Sequence, residues 1–237
     1  MRYIAIIGDI KDSKKISDRS EIQKKLSCTL KNINQIYRDG IAAKFTITLG
    51  DEFQGLLEDW DHILDIIKYI QKEMYPVKLR FGIGIGEIST DIVYEAAIGA
   101  DGPAYYAARK MIEELREQER RLKKQASDIQ ITCYNMECFD VKEINTILAL
   151  MKTIEDSWSE KQRFTIWDMA ENGGSQGQCA ERMNTTQSTV ARRLADGNYI
   201  IYEDAKKTAG EALKRLGDLL GTLLSMLCVI VCKVLIL

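Results

Sequence analysis

Histidine is nearly missing from this chain: His62 is the only one among 237 residues. That rules out His-rich zinc or iron sites and takes away the base of a Ser-His-Asp triad, since nothing nucleophilic lies in a motif around it. His62 reads as a surface residue at a helix start. A charge bias is also missing. With 33 Lys and Arg against 35 Asp and Glu, the formal net charge is -2, so any surface for nucleic acid or acidic membrane must be local. The six cysteines (Cys28, Cys133, Cys138, Cys179, Cys228, Cys232) are scattered and no signal peptide opens the chain. They read as reduced thiols of a cytosolic protein, without disulfides. Repeats and low-complexity tracts are absent. What is present, 46% hydrophobic and 29% charged over 237 residues, suits one medium domain and one small one.

The organising stretch is Ala43 to Leu57, AKFTITLGDEFQGLL. Phe45, Ile47 and Leu49 alternate with Thr46 and Thr48, the period of a half-buried strand. Gly50-Asp51 supplies turn chemistry and Phe53 to Leu57 returns as a second strand, so Asp51 and Glu52 sit at a hairpin tip. A third carboxylate ends the apolar run Tyr3 to Asp9. Two strands ending in Asp point to one metal site. After Asp9, the polar stretch Ile10 to Lys15 reads either as a phosphate cradle with Lys11 and Lys14 or as a solvated basic loop.

Helical spacing of Ile22, Leu26, Leu30, Ile33 and Ile36 predicts an amphipathic helix from Ser20, as cap, to Tyr37. A second helix, capped by Asp59 or Asp61, carries Ile63, Leu64, Ile66, Ile67 and Ile70 and ends before Pro76. In Val77 to Glu87, Leu79, Phe81, Ile83 and Ile85 share one strand face, and Arg80 shares the other with Gly82, Gly84 and Gly86. Three alternate glycines mean that a helix, a partner or a ligand passes close to that face. Asp101-Gly102-Pro103 opens a helix from Ala104 to Lys124. Its charged second half reads as a solvated face, with Glu117–Arg121 and Glu119–Lys123 at ion-pair spacing. Ile129 to Tyr134 is a last strand.

The order strand, helix, hairpin, helix, strand, helix, strand predicts an α+β fold, an antiparallel-rich sheet with helices on one face. Asp9, the Gly50-Asp51 hairpin, the run Arg80 to Glu87 and the Ala107-Ala108-Arg109 helix appear in the order seen in class III nucleotidyl cyclases, which this part resembles. Gly50-Asp51-Glu52-Phe53 is also similar to the end of the GGDEF signature of diguanylate cyclases, which share that palm-type core, so the resemblance implies a ferredoxin-like antiparallel sheet with helices. Together with a terminal DNA-binding-like segment, the chain resembles the bacterial SatD family. The cyclase resemblance implies Asp9 and Asp51, with Glu52 beside them, holding Mg2+ or Mn2+ against a nucleoside triphosphate, Lys11 and Lys14 near the phosphates, and Arg109 stabilising the transferred phosphoryl group. There are departures. Tyr105 stands where cyclases place an asparagine, Ile47 where they place a base-reading lysine, and Leu49 where GGDEF has its first glycine.

Residues 1–138 are thus read as the palm domain and 139–156 as a connecting helix. Residues 157–215 then form a small all-α helix-turn-helix domain, with Asn172-Gly173-Gly174 as a helix stop. Ala180, Asn184, Val190 and Leu194 fit the turn and inner face. Gln187, Ser188, Thr189, Arg192 and Arg193 would face outward toward DNA, in a homodimer. The hydrophobic tail, 216–237, carries one charge from Leu219 to Leu237, Lys233, behind the basic run Lys206, Lys207, Lys214 and Arg215. It reads as a membrane anchor or as a buried dimerisation helix. Three functions stay open: a nucleotide-responsive DNA-binding regulator, a nucleotidyl-transfer enzyme, and a non-catalytic scaffold docked to a membrane partner.

Overall fold

The computed structural model describes residues 2–16, 18–48, 50–122, 127–136 and 139–235, with only the backbone at 15, 122, 139 and 223–235. Apolar runs and alternating apolar residues build five strands: β1 (Tyr3–Ile10), β2 (Ile41–Ile47), β3 (Glu52–Leu57), β4 (Leu79–Gly86) and β5 (Ile129–Cys133), in the order β2-β3-β1-β4-β5. The central strand β1 is antiparallel to β3 and β4. The last strand departs from the antiparallel reading. β5 runs parallel to β4 because a helix, α3 (Pro103–Leu122), carries the chain back between these neighbours.

One sheet face buries Ile4, Ile6, Phe53, Phe81 and Ile83 with α1 (Arg19–Ile36) and α2 (Ile63–Met74). The other buries Ala5, Ile7 and Leu56 beneath Ala104, Tyr105, Ala108 and Ile112 of α3, so helices cover both faces and not the one expected, because both faces of these strands carry apolar or small residues. The helix is what passes close to the glycines. A Cβ on Gly84 would lie 2.0 Å from the Ala104 carbonyl oxygen, and one on Gly82 2.2 Å from that of Ala108.

Two caps differ from expectation. Asp18, not Ser20, caps α1 by accepting from the Glu21 amide at 3.0 Å; Ser20 is already helical. Neither Asp59 nor Asp61 caps α2, because Asp59 accepts instead from the Asp61 amide at 2.9 Å. His62 precedes α2 with its ring tilted against Tyr37, centroids 5.3 Å apart.

Five more helices follow: α4 (Phe139–Ser157), α5 (Glu160–Asn172), α6 (Gln176–Arg182), α7 (Gln187–Asp196) and α8 (Tyr199–Leu235). The apolar cluster under α1 and α2 continues through Leu148 and Met151 of α4, Trp158, Ile166, Val190 and Leu194 to Leu213, Leu216 and Leu220 of α8. One core therefore crosses the boundaries drawn at 138, 156 and 215. Residue 216 begins no separate tail, since it lies inside α8. The basic run before it is partly spent on the palm: Lys206 meets Asp65 at 2.8 Å and Lys214 meets Asp61 at 2.9 Å. Among the described residues no helix is long and apolar enough to cross a membrane. Most of the Leu219–Leu237 side chains lie outside the described ones.

Both edges of the sheet are closed by side-chain amides. On β2, Asn34 of α1 accepts from the Phe45 amide at 2.8 Å and donates to the Phe45 carbonyl at 3.0 Å. On β5, Asn145 of α4 does the same to Ile131 at 2.9 and 2.8 Å. Ser127 takes both backbone groups of Ile129. Exposed strand edges are where foreign strands add, and these positions are occupied.

Candidate functional site

Register places the charged residues. At the carboxyl end of β1, Asp9 pairs with Glu52 on one side and Arg80 on the other, so these three share the sheet face that α3 covers. Asp9 is buried, 3% exposed. Its carboxylate accepts from Arg80 Nη1 at 3.2 Å to each oxygen, and from Arg116 Nε at 2.9 Å and Nη2 at 2.5 Å on Oδ2. Arg80 is fixed from its far side by Glu119. Burial works against the Arg80 charge, but the bonds from Glu119 and Asp9 hold its pKa above the ordinary value.

Burial pushes the Glu52 carboxyl up. Arg116 opposes that rise, Asp9 adds to it, Arg109 opposes it and Asp51 adds to it, so all four lie within electrostatic reach of Glu52. Arg109 and Arg116 lie seven residues apart on one stripe of α3. Arg109 is exposed and makes no ion pair among the described residues; the Arg116 side chain is 44% exposed. Tyr105, one turn before Arg109, is fully buried and its hydroxyl has no hydrogen-bond partner among the described residues.

The remaining expected ligands go elsewhere. Asp51, paired in expectation with Asp9, instead lines a cavity of about 150 Å³ on the α1 side, with Ile10, Ser13, Arg19, Gln23 and Gly50. Glu52 is the carboxylate that shares a face with Asp9. Gly50 makes the turn at φ +63° and its carbonyl accepts from Gln23 at 2.9 Å. Lys11 leaves the phosphate-cradle reading altogether: it is buried against Asp128, which Lys152 of α4 also approaches at 3.6 Å. Lys14 is exposed on a 3-10 turn, Ser13–Lys15.

A metal centre was expected at Asp9, Asp51 and Glu52, and the residues as arranged do not fit one. Asp9 is engaged by two guanidinium groups and Asp51 lines a different cavity. Among the described residues no three acidic, Cys or His side chains are grouped to hold a metal ion.

Of the residues missed in the sequence, Arg80 carried a signal, its place on the glycine face of β4. Arg116 and Glu119 were read as part of a solvated face. Glu119 turns instead across to Arg80, while its expected partner Lys123 lies outside the described residues.

The unit α5 to α7 is built by local capping. Ser159 and Ser175 form capping boxes with Gln162 and Gln178, and Thr186 caps α7 by accepting from the Thr189 amide. Asn184 takes the turn between α6 and α7 at φ +47°. Val190 and Leu194 are buried; Gln187, Ser188 and Arg192 are exposed. Two residues depart from the outward reading. The Thr189 hydroxyl lies 2.8 Å from that of Thr186, and Arg193 donates to the buried Thr165 hydroxyl at 3.2 Å. Arg182 is likewise committed, to Asp168 at 2.7 Å.

No curated protein matches the chain. Solved structures to which it is similar include a bacterial light-regulated adenylyl cyclase, 15% identical over 55% of this chain and 75% of that one, with a TM-score of 0.41. The guanylate cyclase domain of RhGC from Catenaria anguillulae, in complex with GTP, is 15% identical over 47% of this chain and 72% of that one, TM-score 0.36. A regulator of polyketide synthase expression from Bifidobacterium adolescentis is 12% identical over 92% of this chain and 87% of that one, TM-score 0.26. The family model of the SatD family matches residues 3–213, and the chain belongs to that family.

Proposed function

We propose that this protein is a nucleotide-responsive regulator: a cyclase-like palm that binds a nucleoside polyphosphate without turning it over, joined to a helix-turn-helix that contacts DNA. The observation that carries the reading is the pair of part-exposed guanidinium groups, Arg109 and Arg116, on one stripe of α3 above the charged end of the sheet. Guanidinium forks match phosphate oxygens, and a site of this polarity suits an anionic ligand. Binding is favoured over turnover because Asp9 is already saturated and Tyr105 fills the position of the cyclase asparagine.

The helix-turn-helix would use Gln187, Ser188 and Arg192. Residues 158–200 hold five Lys and Arg and five Asp and Glu, so one copy brings little net charge to a phosphate backbone. A homodimer supplies the second set of contacts. The core that continues from the α1–α2 face of the sheet through Trp158 to Leu194 lies across the sheet from α3, so coupling of ligand to DNA has to pass through the strands.

Calorimetric titration of the full chain with ATP and GTP tests the ligand half, and fluorescence anisotropy on mixed-sequence duplex DNA, with and without nucleotide, tests the coupling. The reading requires binding lost in Arg109→Ala and a DNA affinity that changes with nucleotide. No heat at millimolar nucleotide, or formation of a cyclic product, would sink it.

A further inference from the structure

Four donor contacts converge on the Asp9 carboxylate, two from Arg80 and two from Arg116. Arg80 is shared with Glu119 and nearly enclosed, its side chain 11% exposed, so it is fixed in place. Arg116 is held by Asp9 alone among the described residues and presents 44% of its side chain to solvent. Around them, three carboxylates (Asp9, Glu52, Glu119) meet three guanidinium groups (Arg80, Arg109, Arg116). Two positive charges on Asp9 supply the neutralisation that a divalent cation would otherwise supply. A cation entering here would have to evict Arg116 and would gain a carboxylate still shared with Arg80. An anion needs no eviction, since Arg109 makes no ion pair among the described residues and the Arg116 side chain is 44% exposed.

We infer that Arg80 and Arg116 take the place of the divalent metal at Asp9, so that this palm binds its phosphorylated ligand metal-free, on Arg109 and the exposed side of Arg116. This rests on the nucleotide-binding reading, and the test keeps the two apart. In the first arm the full chain is titrated with ATP in EDTA and again in excess Mg2+. Dissociation constants agreeing within about threefold are expected, a difference of under 1 kcal/mol; binding that needs Mg2+ overturns the inference and leaves the reading standing.

In the second arm no nucleotide is present, and Mn2+ binding is followed by electron paramagnetic resonance. Arg116→Gln, which uncovers Asp9 beside Glu52, should bind Mn2+ at least about tenfold more tightly than the unaltered chain, because it removes one of the two positive charges that neutralise the buried Asp9 carboxylate. Arg116→Lys keeps the charge and should exclude Mn2+ as the unaltered chain does, which also controls for any loss of fold in the glutamine variant. An unaltered chain that binds Mn2+ as tightly as Arg116→Gln overturns the inference. If no nucleotide binds under either condition, the functional reading falls and the manganese comparison alone decides.

Discussion

The charged end of the sheet and the unit α5 to α7 treat their arginines alike. At the sheet end Arg80 and Arg116 are turned onto Asp9, and Arg109 is left exposed. In the helical unit Arg182 is turned onto Asp168 and Arg193 onto Thr165, and Arg192 is left exposed. The difference lies in burial. The Asp9–Arg80 pair has 5% and 11% of its side chains exposed, while the Asp168–Arg182 pair has 14% and 35%. The first pair loses its solvation on both sides; the second keeps part of it on the arginine. Position along a helix therefore does not say whether an arginine is available. What faces it does.

That contrast can be broken by substitution. Asp9→Ala leaves the enclosed Arg80 with Glu119 alone and frees the part-exposed Arg116, and should cost about 3 kcal/mol in urea unfolding, the lower end of the range for breaking a buried pair. Asp168→Ala should cost clearly less in the same measurement, and equal losses would erase the distinction drawn from burial. Within α7, Arg193→Ala should lose about 1 kcal/mol with its bond to buried Thr165, while Arg192→Ala should stay within about 0.5 kcal/mol and affect only DNA binding.

Tyr105→Phe removes a buried hydroxyl without a partner, so it should raise stability by about 1 kcal/mol, or the melting temperature by about 2–4 °C. A drop instead would mean that the hydroxyl finds an acceptor. The smallest effect is one of pH. The hydrogen bond from Arg182 holds the Asp168 carboxyl below its ordinary 3.8. Its stabilisation is therefore complete above that value and is lost only as pH falls through the lowered one. Hydrogen exchange of α5 and α6 amides should be flat from neutral pH to the ordinary value, after correction for intrinsic rates, and accelerate below it.

Much of the architecture was legible. Apolar runs and alternation located the strands, and the glycines at 82, 84 and 86 announced that a helix, a partner or a ligand passes close; it is α3, with carbonyls about 2 Å from a would-be Cβ on Gly82 and Gly84. Asn184, Val190 and Leu194 took the turn and inner positions their chemistry fits. The candidate site was half legible. Asp9 was singled out by its strand end and Arg109 by resemblance; Arg80 was placed on the glycine face but given no role, and Arg116 and Glu119 were hidden in a charged run whose local spacing explains itself without tertiary partners. Lys11 failed for the opposite reason. It follows Asp9 by two residues, yet its partner Asp128 is 117 residues away, and no local pattern reports such a pairing. The direction of β5 was missed because strand periodicity carries no sign, and only the helical crossover sets it.

Asn34 and Asn145 make the sheet finite. Each spends one amide side chain imitating a neighbouring strand, satisfying a backbone donor and acceptor at opposite borders. Two copies of this protein therefore have no cheap seam along Phe45 or Ile131. If they meet, they must do so through helices or through side chains on a face, where recognition depends on the identity of residues rather than on a backbone that every protein shares.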